Sequence, residues 1–152
     1  MNIAMNPPMF VTSGILRMFA VTGIAVMVSS TLTGQAVTGG DGSGFSLQGQ
    51  RYSPAGTPLG GQFQVNSITT DSQLQPAVAA DAAGAFVVVW SSGSPAGWAI
   101  AGQRFAASGR PAGGEFAVSS TDPQYQEWPA VAADADGDFV VAWARQGANG
   151  SD

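Results

Sequence analysis

Four constellations in this sequence could do chemistry. The first is Asp134-Ala135-Asp136-Gly137-Asp138, three carboxylates at alternate positions around a glycine. A calcium ion takes clustered carboxylate oxygens as ligands. The second is Tyr125 with Glu127, a phenol and a carboxylate two residues apart. A glycosidase uses two carboxylates at a set separation, or a tyrosine nucleophile. The third is Arg51 and Arg104, cations of a kind that grips an acidic sugar. The fourth is Tyr125 with Trp128, aromatic rings suited to contact with a carbohydrate or a surface protein.

Each has a plainer structural reading, because the chain repeats itself. A shift of 53 residues carries Pro76-Ala77-Val78-Ala79-Ala80-Asp81 onto Pro129-Ala130-Val131-Ala132-Ala133-Asp134. It carries Phe86-Val87-Val88-Val89-Trp90 onto Phe139-Val140-Val141-Ala142-Trp143, and Gln50-Arg51-Tyr52 onto Gln103-Arg104-Phe105. From Phe45 to Trp90 no gap is needed, and about half of the paired positions are identical. Asp136 and Asp138 face Ala83 and Ala85 in the other copy, so the turn must fold there without metal. Arg51 and Arg104 recur with the unit, which suits a stem covering its own strand and a head paired to an acid or carbonyl. Tyr125 and Trp128 break the repeat, facing Ser72 and Gln75. Their rival role is packing between units.

The elements that position these residues are strands. Runs bounded by Gly, Pro and Asp predict strands near 45–52, 62–67, 76–81, 86–92, 98–105, 115–119, 129–134 and 139–145. That is four per unit, with no helical periodicity after residue 44. Asp81-Ala82-Ala83-Gly84 and Asp134-Ala135-Asp136-Gly137 supply a turn glycine at matching places. Residues 86–90 are apolar on both faces, so both faces must be covered. Neighbouring blades of a propeller do that. The small residues Ala77, Ala79 and Ala80 suit an innermost strand near a crowded axis.

Composition excludes several classes. There is no Lys, Cys or His, and the net charge is −5. Phosphate neutralisation has no source, so nucleic acid is not an expected partner. No disulfide framework or thiolate chemistry exists. The commonest general base is missing.

Residues 1–36 read as a signal peptide or membrane anchor. Arg17 precedes an apolar run at residues 18–28, and Gly34-Gln35-Ala36 has the small-x-small form of a cleavage site. Met5 and Met9 are alternative starts. Residues 37–44 read as a Gly-rich linker, 45–97 as the first repeat and 98–152 as a second, truncated one.

The form Gly-Gln-Arg-aromatic, Gly-Gly-x-Phe-x-Val, then Gln-x-x-Pro-Ala-Val-Ala-x-Asp-x-x-Gly-x-Phe-Val-Val-x-Trp resembles tandem repeats of very large secreted bacterial proteins. Those accompany repeats-in-toxin or adhesin modules. It is also similar to the sialidase-type propeller blade. The turn between third and fourth strands departs from that type, having Pro54-Ala55-Gly56 and Ala107-Ser108-Gly109 where the family carries an Asp. The resemblance covers roughly residues 45–150. It implies an all-β fold of two four-stranded antiparallel propeller-type blades, an incomplete propeller, after the hydrophobic leader. The expected function is that of a non-catalytic, secreted or cell-surface scaffold, a fragment of a larger protein. The alternative is a fragment of a sialidase-like glycoside hydrolase. Expected partners are further blades, other copies of the chain, a carbohydrate or a surface protein. No catalytic residue and no cofactor are assigned; Asp134, Asp136 and Asp138 leave room for calcium.

Overall fold

The computed structural model describes residues 17–21, 24–32 and 44–147. Every regular element among them is a strand. In chain order these are β1 (Arg17–Val21), β2 (Ile24–Leu32), β3 (Phe45–Tyr52), β4 (Phe63–Gln64) and β5 (Gln73–Ala80). They continue with β6 (Phe86–Ser94), β7 (Gly97–Phe105), β8 (Phe116–Ala117), β9 (Gln126–Ala133) and β10 (Phe139–Arg145). All pairings between them are antiparallel. Two sheets have four strands, β1-β2-β3-β4 and β5-β6-β7-β8, and a third has β9 and β10. The fold is all-β, as the strand and turn pattern implies.

The period of the sequence survives in the structure, in a different phase. A complete sheet runs from Gln73 to Ala117, an inner hairpin followed by an outer one. Repeat-matched residues make matched bonds. The Gln50 side-chain amide donates to the carbonyls of Arg51 (2.9 Å) and Gly60 (3.1 Å). Gln103 does the same to Arg104 (2.8 Å) and Gly113 (3.0 Å). The Leu47 amide donates to Asn66 Oδ1 at 2.9 Å, and the Ile100 amide donates to Ser119 Oγ at 2.9 Å. Each outer strand carries a glycine under a ring. A Cβ at Gly49 would stand 2.7 Å from Phe63, and one at Gly102 2.8 Å from Phe116.

The core lies between sheets, on both faces of β6. On one side Phe86, Val88 and Trp90 pack with Val78, Leu47, Val65 and Phe105. The Phe86 and Phe105 rings stack at 4.9 Å. On the other side Val87 and Val89 pack with Ala77, Ala79 and Ile100, against Val131, Ala133, Phe139 and Val141. A strand apolar on both faces is thus covered on both faces, which is what its sequence demands.

Two expectations need correcting. The match between the copies implies that Phe139 and Trp143 are buried in the same way as Phe86 and Trp90, but they are not. Trp90 is 1% exposed and Trp143 39%; Val87 is 4% exposed and Val140 67%. The reason is neighbours: β6 lies between β5 and β7, whereas β10 pairs only with β9 among the described strands. The inner strands also start earlier than Pro76 and Pro129. Gln73 and Leu74 already pair with Ser92 and Ser91, and the register then shifts before Ala77. A proline cannot donate to a ladder and is accommodated at a bulge. The bulge places Gln75 at φ 54° and its counterpart Trp128 at φ 57°.

The segment expected to be a leader contributes two strands. β2 pairs along β3, with Ala25 opposite Tyr52, Val26 opposite Arg51, Met27 opposite Gln50 and Val28 opposite Gly49. The rest of residues 1–36, and residues 37–43 of the expected linker, lie outside the described residues.

Candidate binding surface at the second repeat

The loop from β8 to β9 is held against the start of β7. Backbone bonds run both ways between Trp98 and Asp122, at 2.8 and 3.0 Å. The Asp122 carboxylate accepts the Gln124 amide at 2.9 Å and the Arg145 guanidinium at 2.7 and 2.9 Å. Both lower the Asp122 pKa below 3.8, the Gln124 amide first. A depressed folded pKa stabilises the fold above the unfolded value, and that help is lost as pH falls through the folded one. The tie therefore holds at neutral pH and weakens only in acid below about 4.

This anchoring sets the rings. Tyr125 lies 5.5 Å from Trp98, tilted by 31°. The buried Gln126 amide donates to the carbonyls of Trp98 (2.9 Å) and Ser120 (2.7 Å), and its oxygen accepts Trp143 Nε1 at 3.0 Å. Trp128 sits at the bulge, its backbone amide donating to Gln75 Oε1 at 2.8 Å. A non-glycine residue in this conformation costs on the order of 1–3 kcal/mol. Here the residue so held is a tryptophan with half of its surface exposed.

Tyr125, Glu127, Trp128, Ala144, Arg145 and Gln146 line an open hollow of about 420 Å³. Two aromatic faces, a carboxylate, an amide and a guanidinium meet there. Flat apolar surface beside a few polar groups is a common composition for a small-molecule site. The structure thus brings together Tyr125, Trp128 and Glu127, all singled out in the sequence. It adds Arg145 to the lining and sets Trp98 against Tyr125. Arg145 has no repeat partner within the gap-free match, so no signal in the sequence marked it.

The other constellations make contacts within the frame. Asp134 Oδ1 accepts the amides of Asp136 (3.0 Å) and Asp138 (2.9 Å), and Asp81 Oδ1 likewise accepts Ala85 at 2.9 Å. Among the described residues no group of three or more acidic side chains is placed to hold a metal ion. Asp136 and Asp138 do line a second open hollow of about 500 Å³ with Asp81, Arg104 and Phe139. The arginines tie one sheet to the next. Arg51 donates to the Ala107 carbonyl, and Arg104 lies 4.9 Å from the centre of the Phe139 ring and 5.7 Å from that of Phe116. A guanidinium over an aromatic face is attractive, by about 0.5–1 kcal/mol where exposed.

No protein-family model matches the sequence, and no curated protein matches it. One solved structure to which the chain is similar is an endo-arabinase from Bacteroides thetaiotaomicron. The identity is 15% and the TM-score 0.47, over 86% of this chain and 49% of that one. This chain therefore spans about half the length of that protein.

Proposed function

We propose that this chain is an exported, non-catalytic β-repeat segment of a larger secreted or surface protein, and that its second repeat contacts carbohydrate. One observation carries the reading. Tyr125 and Trp128, the aromatics that depart from the repeat, line one hollow and stand half exposed. Of the repeat-keeping aromatics of the complete sheet, Phe86, Trp90 and Phe105 are buried and Trp98 and Phe116 are half-buried. A sugar ring presents apolar C–H faces to an aromatic plane and hydroxyls to groups such as Glu127 and Arg145. Export rests on the apolar run and the small-x-small site in residues 1–36.

Affinity electrophoresis against a panel of soluble polysaccharides tests this. Retardation by at least one glycan is expected. Trp128→Ala should weaken it about tenfold, a loss of about 1.4 kcal/mol. No retardation by any glycan would overturn the proposal.

A second reading has its own observation. Tyr125 and Glu127 line the same hollow, so a glycoside hydrolase segment would place a nucleophile and a carboxylate there. Release of reducing ends by the chain, abolished in Tyr125→Phe, would favour that reading over the first.

A further inference from the structure

We propose that the glycan held at Tyr125 and Trp128 is an amine-bearing one, with a free ammonium group set against Glu127. This inference rests on the carbohydrate reading of the same hollow and names the class of sugar.

The charges of the hollow decide it. Glu127 and Arg145 both line it. An ion pair between them would leave the hollow neutral, and none forms. The Arg145 guanidinium turns instead to Asp122, at 2.7 and 2.9 Å. Asp122 also accepts the Gln124 amide, and both partners keep its carboxyl ionised at neutral pH. The Arg145 charge is therefore balanced by a residue outside the lining.

Glu127 has no such balance. Its carboxylate accepts no hydrogen bond and makes no ion pair with any described residue. The residue is half-buried. Its partner across the ladder is Ala144, whose methyl offers nothing polar. The neighbouring Gln126 is buried and spends its amide on Trp98, Ser120 and Trp143. Glu127 is thus the one unbalanced charge among the lining residues. A carboxylate partly withdrawn from water gains most from a cation brought beside it.

The rings point the same way. An aromatic face attracts a cation as well as a C–H face. Tyr125 and Trp128 flank Glu127 in sequence and line the hollow with it. A protonated amino sugar uses both properties at once, its ring on one aromatic plane and its ammonium beside the carboxylate. Other ligands use fewer of these groups. A neutral sugar leaves the Glu127 charge unmatched. An acidic sugar meets Glu127 as a like charge, while Arg145 is already engaged by Asp122. A metal ion lacks the clustered carboxylates it requires. The net charge of −5, with no Lys in the chain, also draws a cationic ligand.

Titration calorimetry on the full chain tests this with three tetrasaccharides of one linkage, the β-1,4 tetramers of glucosamine, N-acetylglucosamine and glucose. The glucosamine tetramer should bind about tenfold more tightly than either neutral one. Glu127→Gln should abolish that preference, whereas Asp136→Asn, which removes an acid elsewhere, should keep it. Equal affinities in the unaltered chain would overturn the amine and leave the carbohydrate reading standing. Binding of none of the three, or tighter binding of tetralysine than of the glucosamine tetramer, would overturn the amino sugar as ligand. A preference that survives in Glu127→Gln would do the same for the role of that carboxylate.

Discussion

Trp90→Ala is expected to lower stability by about 3–5 kcal/mol, enough to unfold a modest domain. Trp90 is 1% exposed and belongs to the cluster that joins β6 to Leu47 and Val65 of the first sheet. Deleting an indole there removes its transfer energy and leaves a cavity that two sheets share. The same change at Trp143 should cost about 1 kcal/mol, the ordinary size for a point change. Trp143 is 39% exposed and has one side-chain bond, to Gln126. Urea melts of the two variants give the comparison. Equal losses would mean that the two hairpins are covered alike.

Gly97→Ala is the second large expected loss, about 3 kcal/mol or more from backbone strain and overlap together. Gly97 has φ 128°, and a Cβ there would stand 2.0 Å from the Asp122 carbonyl and 2.7 Å from Pro123 Cα. The obstacle is backbone and cannot swing away. The Trp98–Asp122 pair would part, and with it the loop that carries Tyr125 and the anchor of Arg145. Glycan binding should therefore fall with stability. Gly56→Ala is the control. It also has positive φ, at 79°, but a Cβ there meets nothing within 4 Å. Its loss should stay near 1 kcal/mol, the strain alone. Similar melts for the two variants would contradict the close approach at Gly97.

Much of this architecture is legible in the chain because local rules and packing agree. Asp81 and Asp134 mark turns because each carboxylate accepts an amide four residues on. Residues 86–90 announce a strand covered on both faces, and two sheets cover it. The bulge was not legible. Pro76 and Pro129 read as strand starts, whereas the chain enters the sheet three residues earlier and passes each proline by leaving the ladder. Nor did the sequence say which of Phe86-Val87-Val88-Val89-Trp90 and Phe139-Val140-Val141-Ala142-Trp143 would be the half-open run. Burial belongs to neighbours, and β10 has a partner on one edge among the described strands. The hairpin β1–β2 was hidden for a different reason. It holds the inner position by backbone register, while its apolar run has the length and flanks of a leader.

At the candidate surface, Tyr125 and Trp128 could be picked out because they interrupt an otherwise regular pattern. Arg145 could not, since its position is fixed by Asp122 across a loop that no periodicity describes. Glu115 is a similar case. It receives amides from Ser67 and Ile68 of the connection between β4 and β5, a link invisible without the fold.

The central claim is that one hairpin is used twice, with two strand neighbours at β6 and, among the described strands, one at β10. Native-state hydrogen exchange on this chain tests it most directly. Amides of β6 should exchange only through global unfolding. Those of β10 that point away from β9 should exchange like loop amides. Protection of those β10 amides equal to that of β6 would contradict the account.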